Sequence, residues 1–421
     1  MKDNPLPLFN TYKQFLQLDF QELVKEHKLV RDYVLAFPAD LKAVDGYLAV
    51  RSFLKLYANN GATFNSYRTQ VERMLLWTLL IARKPLFKMR RQDAESFMDF
   101  CLNPPRDWVS PTKMTRFIRK EGAYIFNIDW RPFTINVPKR ERSLISFTDR
   151  NSRPYQMSKA SVAQVFAVCS SFFQNAIDKG SCDVNPFRKI KQKEVYKQTP
   201  FVDVAGRSLT PLQWSYVLKT AEQMADENPK HERTLFILAT IFCMYLRVSD
   251  LAGHDNWQPT MGDFRNDASG NWWFHVLDKC NKPTEISVRD EYVEAYLTRY
   301  RRHLGLPPLP SPHEMHPLLT TLSGRSGLTD RAIQGLLQEV FNRSLARMLK
   351  EGFSNDEVDQ LRSASLYWLR HTSAKFDAQH RDVKELQADL RHNSMNTTQS
   401  TYYNFPDEPR VNSAKHLPIK R

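Results

Sequence analysis

Residues 233–247, RTLFILATIFCMYLR, constrain this chain more than any other stretch. Between the two arginines only Thr234 and Thr240 are polar. At this length the run predicts a helix covered on most sides, and so a domain thick enough to surround it. It falls short of the ~20 apolar residues that a membrane span needs. The helix is expected to end by presenting Arg247, whose guanidinium is costly to desolvate unless a partner meets it.

Other segments show which elements do the covering. The segment TFNSYRTQVERMLLWTLL puts Phe64, Tyr67, Val71, Leu75 and Leu79 on one helical stripe, and SKASVAQVFAVCSSFFQNAIDKG does so with Val162, Val165, Phe166, Cys169, Phe173 and Ile177. Thr210, Pro211 and Gln213 form the start signal of a further helix, with a capping box. More helices are predicted at about 329–350, 355–376 and 382–391. The β signal is NWWFHVLDKCNKPTEISV, in which Thr284, Ile286 and Val288 alternate with polar residues after a turn carrying Lys279 and Lys282. The fold class is therefore mainly α with a small antiparallel β-hairpin or sheet. A chain of 421 residues divides into two or three domains. Residues 1–45 are a candidate N-terminal accessory arm. Residues 46–187 are a helical domain with an aromatic and basic elaboration at 104–150. Residues 188–207 are a basic linker, 208–405 a second domain and 406–421 a tail.

The charge balance says what such a chain meets. Lys+Arg 60 against Asp+Glu 46 gives +14, which favours a polyanionic partner. Five cations fall between Arg188 and Lys197: a solvated spacer, or a strap across a polyanion through Arg188, Lys189, Lys191 and Lys193. The five cysteines are odd in number and lack CxxC spacing, as in reduced thiols of a cytosolic protein. Neither a phosphate-binding GxxxxGK[ST] loop nor GxGxxG occurs, and His313 and His316 do not form HExxH. No metal or other cofactor is expected.

The remaining chemistry-bearing residues are cations and phenols: Arg247; Lys279 in the hairpin turn; Tyr367, Arg370 and His371 from one helix; His392; and the adjacent Tyr402 and Tyr403. Singly each has an ordinary structural reading, such as an Arg247–Asp250 ion pair. Together they resemble the tyrosine site-specific recombinases, the phage-integrase family. YLRVSDLAG (245–253) resembles that family's first arginine box, LDKCNKPTEISV its hairpin lysine motif, LYWLRHTSA (366–374) its second arginine box, and LQADLRHNSMNTTQSTYYNF its terminal box.

The resemblance implies an α-helical core-binding domain followed by a mixed α/β catalytic domain, acting on double-stranded DNA. Arg247 and Arg370 would clamp the scissile phosphate, a task suited to forked guanidiniums. Lys279 would protonate the leaving hydroxyl, His392 would hydrogen-bond the phosphate, and Tyr402 would be the nucleophile. It further implies a homotetramer assembled on DNA with exchange of C-terminal tails, an accessory directionality factor as a further partner, no membrane, and a cytoplasmic, nucleoid-associated site of action. Phosphate contacts would come from Arg188, Lys189, Lys191, Lys193 and Lys282, and from the clusters Arg83–Arg91, Lys113–Lys120 and Lys139–Arg142.

Two positions depart from the family pattern. Where a histidine usually precedes the second arginine by three residues, this chain has Tyr367, a phenol that can donate to a phosphate oxygen but accepts protons poorly. The tyrosine stands one residue further on than usual, so a one-residue insertion is expected, with Tyr402 favoured over Tyr403. Alternative readings are a type IB topoisomerase-like enzyme or hairpin-forming resolvase, and a DNA-binding structural protein without catalysis.

Overall fold

The computed structural model describes residues 4–16, 28–121, 123–137, 153–188, 190, 208–254, 257–277 and 282–403. The chain forms two compact units, Met1–Phe201 and Val202–Arg421. Their division falls inside the segment read as a linker, although Ile190 near its start is buried in the first core with Phe187 just before it.

The first unit is built on two 20-residue helices. Ahead of them come α1 (Tyr12–Leu16), α2 (Lys28–Leu35) and α3 (Ala43–Lys55). The long helix α4 (Gly61–Leu80) starts where the Asn60 side chain accepts from the Ala62 and Thr63 amides. It buries Phe64, Val71, Leu75 and Leu79 as the stripe predicts, each contributing about 1.5–3 kcal/mol. After α5 (Arg91–Leu102) the described part of the elaboration runs as four short strands, β1 (Val109–Ser110), β2 (Phe117–Lys120), β3 (Ala123–Phe126) and β4 (Phe133–Thr134). Parallel β1–β4 and antiparallel β2–β3 are its pairings. The second long helix, α6 (Lys159–Asp178), is apolar and long enough to cross a membrane by composition, yet it buries Val165, Cys169, Phe172 and Phe173 in this core.

One carboxylate ties the unit's outlying parts to α4. Glu72, 2% exposed, accepts from the Leu8 and Phe9 amides at 2.8 and 3.1 Å and pairs with Arg116 of the elaboration. The segment 1–45, read as a candidate arm, thus places Leu8, Phe9, Val30 and Val34 in the core of this unit. Arg116, from a cluster expected to meet phosphates, is spent internally.

The second unit wraps the apolar run. Helix α7 (Pro211–Glu227) begins with the Thr210–Gln213 capping box, and α8 (Glu232–Cys243) buries every side chain from Thr234 to Phe242. Thr240, polar in this setting, bonds the Phe236 carbonyl and the Tyr292 hydroxyl at 2.6 and 2.7 Å. Then come α9 (Val248–Ala252) and an antiparallel sheet ordered β5 (Phe264–Asn266), β6 (Trp272–Leu277), β7 (Pro283–Ser287). Phe274, Val276 and Ile286 face the core. A helical run follows, α10, in three contiguous pieces: Asp290–Tyr292, the π turn Val293–Leu297, and Thr298–His303. The helix expected over 329–350 is α11 (Asp330–Lys350). That expected over 355–376 is two helices, α12 (Asn355–Ser363) and α13 (Leu366–Asp377), because Ala364 and Ser365 are extended. Last come α14 (Val383–Leu390) and α15 (Met395–Thr398), which runs into a π turn over Gln399–Tyr403.

Candidate active site

Four segments of the second unit build the site. The first follows α8. That helix stops at Cys243, earlier than the apolar pattern suggests, because Tyr245 adopts φ 52° and reverses the chain. Arg247 therefore lies at the N-cap of α9 instead of on α8. Its amide donates to the Asp250 carboxylate at 2.7 Å, and its side chain is exposed.

Helix α13 supplies the second arginine. Arg370 is 4% exposed, and its guanidinium donates to the backbone carbonyls of Tyr245 and Leu390. One planar group thus fastens the kink before Arg247 to the end of α14, as a lysine could not. Burial, reinforced by Arg247 and Arg391, brings its pKa down to about 10, so it keeps its charge at neutral pH.

Beyond α14 the backbone turns at Arg391, φ 51°, whose side chain pairs with Asp250. The expected Arg247–Asp250 pairing thus exists as a backbone contact, while Arg391 takes the carboxylate's charge. His392 comes next. Its Nδ1 is 2.8 Å from Thr398 Oγ1, and burial, with Arg370 and Arg247 adding to it, lowers its pKa to about 4. It is neutral at pH 7.

The π turn brings in the tyrosine. A π turn holds one residue more than an α turn, and such bulges recur at functional sites. This one lies at the place where the sequence called for an insertion. Tyr402 is 7% exposed, its phenol 2.6 Å from His371 Nδ1 and its ring parallel to His392 at 6.4 Å. Burial raises its pKa above the usual 10, partly offset by Arg370. Tyr403 instead donates to the Arg381 carbonyl at 2.8 Å.

Tyr367 and Arg370 were expected on one face of their helix, but Tyr367 is 59% exposed where Arg370 is buried. The Tyr367 ring packs edge-on against His371, centroids 4.3 Å apart. Lys279 lies outside the described residues, as do Lys189, Lys191, Lys193 and the cluster Lys139–Arg142. The described flanks of the lysine turn, Leu277 and Lys282, line a cavity of about 710 Å³ with Arg247, Asp250, Arg391 and His392. Strand β7 is anchored to the same region, since Ser287 donates its amide (3.0 Å) and its hydroxyl (2.5 Å) to Asp389 of α14.

In the first unit, Lys42, Lys88, Arg90, Arg91 and Lys179 line a cavity of about 1090 Å³, and Arg188 donates to Gln174. The loop at His313–His316 is solvent-exposed at His313 and Met315, while its Glu314 pairs with Arg301, a fully buried guanidinium. Among the described residues, no cluster of three His, Cys, Asp or Glu could hold a metal ion. Sequence reasoning gave no role to His371, Asp389 or Arg391. His371 was singled out by residue type alone, while Asp389 and Arg391 were signalled only by lying close to His392.

No protein-family model matches the sequence, and no curated protein matches it. The fold is that of a tyrosine site-specific recombinase. The crystal structure of the XerH site-specific recombinase in a post-cleavage complex with palindromic difH substrate is similar at TM-score 0.53 and 12% identity, over 96% of this chain and 93% of that one. A Tn1549 transposon integrase with circular intermediate DNA gives TM-score 0.48 and 13% identity over 87% of this chain and 97% of that one. A lambda integrase dimer bound to a COC′ core site gives 0.47 and 12%, over 84% and 76%.

Proposed function

We propose that this chain is a site-specific DNA recombinase that cuts and rejoins duplex DNA through a 3′-phosphotyrosine, with no metal or nucleotide. The observation that carries this reading is the meeting of Arg247, Arg370, His392 and Tyr402 in one unit although they span 155 residues of sequence. Two guanidiniums and a neutral imidazole beside a buried phenol suit a phosphodiester. The phosphate's charge repels nucleophiles, and its transition state gathers more charge on the non-bridging oxygens.

Tyr402 Oη attacks phosphorus, the bond from phosphorus to the 5′ oxygen breaks, and the leaving oxygen takes a proton to become a 5′ hydroxyl. Lys279 is proposed as that proton's donor, on the strength of its place in the sequence. Arg247 and Arg370 hold the non-bridging oxygens, and His392 donates a hydrogen bond to one of them. The phosphotyrosine conserves the energy of the broken bond, so rejoining is the reverse step with a new 5′ hydroxyl. Duplex DNA is the partner. A DNA-assembled homotetramer supplies the two pairs of cuts that exchange requires, at the nucleoid in the cytoplasm.

The test uses nicked duplexes of a sequence selected from random DNA by binding to the full chain. A detergent-stable protein–DNA adduct is expected, joined through Tyr402, and paired selected sites on a plasmid should recombine. Adduct with relaxation but no exchange would favour a topoisomerase-like or hairpin-forming activity. Binding without adduct would favour a structural DNA-binding protein.

A further inference from the structure

Tyr402 needs a proton acceptor. Its phenol is buried and its pKa raised, so at neutral pH it carries its proton and is a poor nucleophile. His371 Nδ1 is 2.6 Å from the phenol oxygen, within hydrogen-bond reach of that proton. A general base must be within hydrogen-bond reach of the proton it takes. His392, the other imidazole at the site, has its Nδ1 occupied by Thr398 and only stacks on the Tyr402 ring.

Helix geometry explains why the imidazole stands here. Relative to Arg370, Tyr367 is three residues before and His371 one residue after, so the two are four apart and neighbours on one face of α13. Their rings are in contact. An imidazole missing from the first position is present one turn further along the same face.

We propose that His371 is the general base for Tyr402, taking the phenolic proton onto Nδ1 as the phosphotyrosine forms and returning it when the strand is rejoined. The proposal rests on the phosphotyrosine reading above. The step balances: the Oη–H bond breaks as the Oη–phosphorus bond forms, the proton moves to His371, and the 5′ oxygen leaves with a proton from elsewhere. It requires the His371 tautomer protonated on Nε2, so that Nδ1 accepts from the phenol. Among the described residues, the titratable groups around the pair include Tyr367 and Arg370 on α13, and Tyr402 with His392 from the C-terminal segment. Arg247 acts on this cluster through Arg370 and His392.

The experiment measures single-turnover adduct formation by the full chain on the selected nicked duplexes, from pH ~5 to ~8, across the range in which imidazoles usually titrate. The proteins are the parent, His371→Ala, His371→Asn and Tyr402→Phe, with melting temperature and DNA binding recorded at each pH. His371→Ala is expected to slow adduct formation about 10²-fold while binding and melting stay at parental values. The parental rate should fall as the medium is acidified, and both His371 variants should lose that fall. Asn keeps a hydrogen-bond acceptor near the Nδ1 position but takes no proton, so it should remain slow. On a 5′-bridging phosphorothiolate, whose sulfur leaves without a proton, the His371→Ala deficit should persist.

A parental rate in His371→Ala, full recovery in His371→Asn, or loss of the deficit on the phosphorothiolate would each overturn the base assignment while leaving the recombinase reading intact. No adduct from the parent on any selected duplex would overturn that reading and the role of His371 with it.

Discussion

The carboxylate of Asp250 grips the guanidinium of Arg391 across 141 residues of sequence, with both side chains under a tenth exposed. The same carboxylate accepts from the Arg247 amide. Asp250 thus joins the turn that presents Arg247 to the turn that presents His392, and it offsets the charges of three clustered arginines.

Removing that charge should be costly. Asp250→Asn leaves Arg391 buried without a carboxylate, although its Nε already lacks a hydrogen-bond partner. Breaking one side of a buried pair costs about 3–5 kcal/mol. Urea unfolding of the variant should show a loss of that order, with adduct formation falling in parallel.

The two tyrosines should separate cleanly. Tyr402→Phe is expected to abolish the covalent adduct and leave DNA binding unchanged. Tyr403→Phe removes one bond to the Arg381 carbonyl and should keep the adduct. Denaturing gels of the two variants on one substrate decide this, and the reverse pattern would make Tyr403 the nucleophile.

Arg370→Lys tests fork against charge. A lysine keeps the positive charge but cannot hold the Tyr245 and Leu390 carbonyls and also face a phosphate. Cleavage should slow by about 10²–10³-fold. An unsatisfied carbonyl costs about 1–3 kcal/mol, which chemical denaturation should register.

Stability should depend on pH through His392. Its pKa is about 4 in the folded chain against ~6.5 in the unfolded one, so between these values the unfolded state binds the extra proton. The stability tied to neutral His392 is complete above ~6.5 and is lost as pH falls towards 4. Melting temperatures over this window should drop less steeply in His392→Gln than in the parent.

In the first unit, Glu72→Gln strips the charge from the buried acceptor that holds the Leu8 and Phe9 amides and Arg116. A loss of about 3–5 kcal/mol is expected, with early protease cleavage near the N-terminus as the local readout.

Much of this site was legible in the amino-acid order because its parts are local. Thr210–Gln213 caps a helix with neighbours three apart; Ile286 and Val288 turn inward because strands alternate; Arg370 and His371 share a helix. Tyr402 lies in the π turn over Gln399–Tyr403, in the segment where the sequence predicts an extra residue. The stop of α8 at Cys243 left no trace, because Met244, Tyr245 and Leu246 continue the apolar pattern and remain buried after the helix has ended.

The sequence by itself determined the long helices and the hairpin, that the chain is basic, and which cations and phenols it carries, because periodicity, capping and composition act over a few residues. Tertiary structure alone decided that Asp250 takes Arg391, that one guanidinium holds two distant carbonyls, and that the Tyr402 phenol rests on His371. Those choices compare desolvation costs among partners brought together by folding, and no stretch of sequence records which charges will be buried side by side.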